Sequence, residues 1–201
     1  MKRLCLLFAC AAALLLSACA SGPLPANIER FDLGPPPVAA PGSPASSGRT
    51  LAPIKVMVAA PTWLDQESMY YRLPGADGDQ ARAYADSRWL APPQRLFGER
   101  LRARLASQRS VLNAGDPVAA PLLKIELDEF TQVFDSRSRS HGAVVLRASV
   151  FDRDKLVAQT TLHVTRPAPS NDARGGVAAL RAATDAAQAE LVRWLATVPL
   201  S

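Results

Sequence analysis

Apolar positions along the chain follow two rhythms, a period of two in several stretches and a helical spacing in two others. Ile54, Val56 and Val58 alternate with Lys55, Met57 and Ala59, the pattern of a half-buried strand, and Pro61 ends it. Residues 69–73 and 82–86 flank Pro74-Gly75-Ala76-Asp77-Gly78-Asp79, a turn composition that predicts a hairpin with a long loop. Pro92-Pro93 suits a first helical turn. Leu96, Phe97, Leu101 and Leu105 then share one helical face, with Arg95, Glu99, Arg102 and Arg104 turned away, and the helix should stop near Ser107. Leu123, Ile125 and Leu127 alternate again, in a run that continues through Phe130 and Val133 to Phe134. Residues 143–151 and 156–164 flank Asp152-Arg153-Asp154-Lys155 as a second hairpin, and 167–176 reads as a loop. Val177, Leu180, Thr184, Ala187, Leu191, Trp194 and Leu195 form the stripe of a long, alanine-rich helix that ends before Pro199.

This order predicts an α+β domain over 51–198: a mixed, largely antiparallel sheet with two main helices packed on one face. No internal repeat is visible. Ahead of the domain, residues 20–53 hold eight of the seventeen prolines, among glycine, serine and alanine. Such a segment cannot bury enough apolar surface to fold alone, and proline keeps it extended, so 19–50 reads as a tether. Within it Ile28-Glu29-Arg30-Phe31-Asp32-Leu33 alternates apolar and charged residues, which predicts a short strand over 28–33 docked on the domain.

The N-terminus changes the picture of compartment. Lys2 and Arg3 precede Leu4 to Leu16, 13 residues without a charge. A membrane-spanning helix needs roughly 20, so residues 1–18 read as a secretory signal peptide. Leu16-Ser17-Ala18-Cys19 resembles the bacterial lipobox, in which the cysteine thiol receives a diacylglyceryl group; Ala18-Cys19-Ala20 also fits an ordinary small-x-small cleavage site. Each buried methylene contributes about 0.8 kcal/mol, and two or more acyl chains anchor stably, so a lipidated Cys19 suffices to hold the domain. Ala20 and Ser21 follow, with no aspartate after the cysteine, which in Gram-negative sorting favours the outer membrane, facing the periplasm. Cys5 and Cys10 leave with the signal peptide, so the mature domain has no thiol. Lys2 and Arg3 leave too, and the net charge falls from +5 to +3, with 21 basic against 18 acidic residues. That mild, dispersed surplus is not a nucleic-acid footprint.

Candidate chemistry is sparse. His141 and His163 have no partner at metal-ligand spacing, and no serine-hydrolase elbow, Ser-x-x-Lys or phosphate loop is present. Glu126 and Asp128 share a strand face and could serve a glycosidase, but their alternation with Ile125 and Leu127 is that of a solvated face. Neither cofactor nor metal is implied, and the expectation is a non-enzyme. Tyr70, Tyr71, Tyr84 and Trp89 lie within twenty residues, beside Arg72, Arg82 and Arg88. Arginine and large aromatics dominate interface hot spots, so Tyr70, Tyr71, Tyr84, Arg88 and Trp89 are candidates for a partner interface; the other reading packs these rings as ordinary core.

A lipobox, a Phe31-Asp32-Leu33 strand, a strand ending at Pro61, a tyrosine-rich hairpin, Arg88-Trp89 leading through Pro92-Pro93 into Leu96-Phe97, and a strand reaching Phe130 come in that order. The arrangement, over residues 28–196, resembles the ABC-type transport auxiliary lipoproteins, the DUF330-type proteins associated with paraquat-inducible and Mla-like lipid transport systems. The resemblance implies a non-catalytic outer-membrane lipoprotein that meets an MCE-domain protein and docks its conduit at that membrane; a ring-like homo-oligomer would suit such docking. The proline-rich loop at 35–48 is longer than the family pattern. An assembly or structural lipoprotein of a secretion or lipopolysaccharide export machine would share the anchor and the fold class.

Overall fold

The computed structural model describes residues 27–36, 51–75 and 79–200; the signal peptide, Cys19 and most of the tether lie outside them. The described elements are β1 (Glu29–Phe31), β2 (Leu51–Ala59), a 3-10 turn (Thr62–Leu64), β3 (Ser68–Arg72), β4 (Arg82–Trp89), α1 (Pro93–Ala106), β5 (Arg109–Asn113), β6 (Leu122–Ser136), β7 (Arg139–Asp152), β8 (Lys155–Pro167) and α2 (Ala173–Leu195). They form the expected α+β arrangement, a single mixed eight-stranded sheet with both helices on one face. The longest ladders, β6–β7 and β7–β8, are antiparallel, as is the β3–β4 hairpin, whereas β1–β4, β2–β5, β2–β6 and β3–β6 are parallel.

β6 is the spine. One edge pairs with β7 along its length, and the other forks: its first half takes β2, and its second half takes β3 at Tyr71↔Gln132 and Arg72↔Val133. Midway the register slips between Leu127 and Glu129, which leaves Asp128 as an exposed β-bulge. The bulge is what keeps β6 amphipathic. Leu123, Ile125 and Leu127 face the helices before it, and Phe130 and Gln132 do so after it, a switch from odd to even positions.

The core lies between this face and the helices. α1 covers β2 and β5, and α2 covers β6, β7 and β8. Leu96, Phe97, Leu101 and Leu105 are all buried, the face that their spacing predicts. Gly142 on β7 lets α2 approach closely: a Cβ there would stand 2.7 Å from the backbone of Ala179 and Leu180.

The structure departs from the sequence reading at several boundaries and in one strand. The strand expected over 28–33 is confined to Glu29–Phe31, and β4 runs on to Trp89. The loop expected over 167–176 ends at Asp172, whose carboxylate accepts the Gly175 N–H at 2.7 Å and caps a helix that begins four residues before Val177. β7 begins at Arg139 rather than 143, so His141 lies inside a strand. β5 is a strand that the sequence did not announce, held parallel to β2 by pairs such as Ile54↔Val111.

Candidate functional site

The candidate aromatic residues gather on the arm of the sheet built from β3, β4 and the second half of β6. They do not all share a face. Tyr71 lies on the helix side, 4.7 Å from the Tyr84 ring and 5.8 Å from Phe134. The Tyr84 hydroxyl donates to Gln132 Oε1 at 2.7 Å, and Gln132 Nε2 donates in turn to Ser140 Oγ at 2.9 Å. Burial, reinforced by Tyr71 and Asp172 nearby, pushes the Tyr84 phenol well above its ordinary pKa. It is a structural hydrogen-bond donor. Trp89 is 1% exposed and packs edge-on against Phe130 at 5.5 Å, so it belongs to the core. Arg88 folds back along its own strand, donating to the Tyr84 and Ser87 carbonyls.

Tyr70 points to the opposite, helix-free face, and there it meets a residue outside the candidate set. Trp63, on the 3-10 turn, sits edge-on to Tyr70 at 5.4 Å, because the burial of Leu64 beside it turns the indole outward. The Arg72 guanidinium lies 5.8 Å from the Trp63 ring centre, a cation–π distance. Two hydrogen bonds to Glu129, at 3.2 and 3.1 Å, fix its plane. Trp63, Tyr70 and Arg72 are each half-buried, so this face offers two rings and one pre-oriented guanidinium at little cost in side-chain entropy. The only sequence hint of Trp63 was its place after Pro61-Thr62, a turn rather than a strand.

The acid-base candidates are differently disposed. Glu126 accepts from Arg147 at 3.0 Å and Lys124 at 3.1 Å, and these bonds hold its pKa below the ordinary carboxylate value, Arg147 having the larger effect. A glycosidase general acid needs the opposite shift. Asp128 sits exposed on the bulge. His141 Nδ1 lies 3.2 Å from Asp135, and among the described residues no hydroxyl hydrogen-bonds to that ring. His163 faces outward on β8. Among the described residues no three His, Cys, Asp or Glu side chains converge as metal ligands.

The model of the ABC-type transport auxiliary lipoprotein component matches residues 31–192, which takes in every element except the start of β1 and the last turn of α2. The chain belongs to this family. The auxiliary lipoprotein fold recurs in a solved DUF330 protein from Xanthomonas campestris, at a TM-score of 0.70 and 19% identity, covering 83% of this chain and 94% of that one. A solved structure of an uncharacterized protein matches at a TM-score of 0.66 and 13% identity, over 84% and 99% of the two chains. At these identities the likeness is one of fold. No curated protein matches the sequence. Family membership makes this lipoprotein an accessory of an ABC-type transport system, a component to which a partner surface belongs more naturally than a reaction centre.

Proposed function

We propose that the protein is anchored in the outer membrane by acyl chains on Cys19, faces the periplasm, and docks an MCE-type conduit there without catalysing a reaction. The observation that carries the reading is the helix-free face, where Trp63, Tyr70 and Arg72 stand together on an auxiliary lipoprotein domain. Aromatic rings with a fixed arginine are the usual anchors of an interface. Tyr71, Tyr84 and Trp89 support that arm from behind, and Arg88 stiffens β4. The tether keeps the domain near one membrane, which raises its effective concentration at an arriving complex without any new contact. ATP hydrolysis belongs to the inner-membrane part of such a system, and lipid is the cargo that the resemblance implies.

The test is an affinity pull-down of the lipidated, detergent-solubilised protein with mass spectrometry of what accompanies it. An MCE-domain protein with its permease is the expected recovery. Reproducible recovery of a secretion or lipopolysaccharide export component with no MCE protein would contradict the reading. Cys19→Ala should yield an unprocessed or soluble periplasmic form; a variant that still fractionated with the outer membrane and functioned would refute the anchor.

A further inference from the structure

At the other end of the helix-free face the sheet carries a groove of about 700 Å³, within the range of roughly 300–1,000 Å³ usual for small-molecule sites. Its floor is two cross-strand rows. Lys55 on β2 stands beside Leu122 on β6 and Phe151 on β7; one step along, Met57 stands beside Lys124 and Ser149. The first row therefore holds an ammonium in line with two large apolar side chains, and the second an ammonium beside Met57. The walls are the 119–121 segment, tied to β2 by Lys55 N–H donating to the Pro121 carbonyl at 2.8 Å, and the β7–β8 turn at 152–154. Both central residues of that turn, Arg153 (φ 46°) and Asp154 (φ 67°), occupy the left-handed region of a tight hairpin, which fixes the rim.

Lys55, Lys124 and Arg153 line the groove together with Asp152 and Asp154, which stand on its rim. Lys124 is paired with Glu126 at 3.1 Å, outside the groove. Lys55, half-buried at the floor, has no ion-pair partner among the described residues. A half-buried ammonium with no such ion-pair partner, beside Met57, Leu122 and Phe151, is half of an interaction.

We infer that this groove binds a single-chain amphiphile with an anionic head, its phosphate or carboxylate oxygens on Lys55 and its chain along Met57, Leu122 and Phe151. The inference stands on the groove's own residues. A failed recovery of an MCE protein leaves it intact, and its own failure leaves the docking reading intact.

The test uses the full lipidated chain in zwitterionic-phospholipid nanodiscs and a diazirine-tagged dodecyl phosphate, with adducts mapped by mass spectrometry. Adducts should concentrate on residues 55–57, 119–124 and 151. Unlabelled dodecyl phosphate or laurate should compete them away, the stronger competitor showing whether a phosphate or a carboxylate head is preferred. Inorganic phosphate alone should not compete. Lys55→Gln should lower groove labelling at least five-fold, and Met57→Gln, which keeps the volume but adds an amide, should lower it as well. Adducts scattered over the surface would overturn the inference, as would equal competition by dodecyltrimethylammonium or labelling unchanged in both variants.

Discussion

Two side chains decide how the N-terminal strand and the aromatic arm are held. Arg100 is 5% exposed: helical spacing puts it on the face of Leu96 and Phe97, although its charge alone would argue for solvent. It grips Asp185 of α2 with two bonds of 2.8 Å and donates to the Leu33 and Gly34 carbonyls at 3.1 and 2.7 Å. One guanidinium thus joins both helices to the segment where the tether enters the body. Arg100→Met should cost about 3 kcal/mol, the low end for a broken buried ion pair because Asp185 retains some exposure. A lower denaturant midpoint at unchanged slope would show it, and a loss below about 1 kcal/mol would contradict it. Tyr84 gives a pH signature. Folding raises its pKa above the unfolded value of about 10, so the native state retains a proton that the unfolded chain releases. Its contribution is complete below about pH 10 and is lost as pH rises through the folded pKa. Stability should therefore decline above pH 10, and Tyr84→Phe should remove that part of the decline; identical slopes in the two proteins would contradict the assignment.

Elements announced themselves where one face alone is buried. β2, the β3–β4 hairpin, α1 and the β7–β8 hairpin follow their apolar periods because water on the other face enforces polar partners there. The rest depended on contacts distant in sequence. β5 has only Val111 and Leu112 as apolar content, and parallel pairing with β2 makes it a strand. The first turn of α2 contains Gly175 and Gly176, which read as loop; glycine is there because a Cβ would meet the Ser170 carbonyl at 2.0 Å or Gln132 Oε1 at 2.2 Å. The change of parity from Leu127 to Phe130 was visible in the chain, and only the ladder to β7 shows it to be a bulge. Among the site residues, composition identified the tyrosines, but which face each occupies follows from pairing. Close packing of α2 on β7 yields a prediction at this scale. Gly142→Ala should destabilise the domain by about 2 kcal/mol, since the obstructing atoms are helix backbone that cannot rotate aside. A thermal midpoint equal to that of the unaltered protein would show that α2 does not rest where described.

At the scale of the molecule the two faces of the sheet differ in kind. One is sealed by α1 and α2 over a continuous core, and the other carries no helix among the described residues. That open face holds the Trp63–Tyr70–Arg72 cluster on the β3 arm of the fork and the lysine-lined groove on the β2 arm. If the protein docks its partner through the first, a site-specific photocrosslinker in cells will register the contact. Placed at Tyr70 in the otherwise unaltered lipoprotein, it should capture an MCE-domain protein; placed at Glu190, exposed on α2, it should not. Equal capture from both positions, or capture from Tyr70 of a different envelope machine alone, would contradict docking through this face.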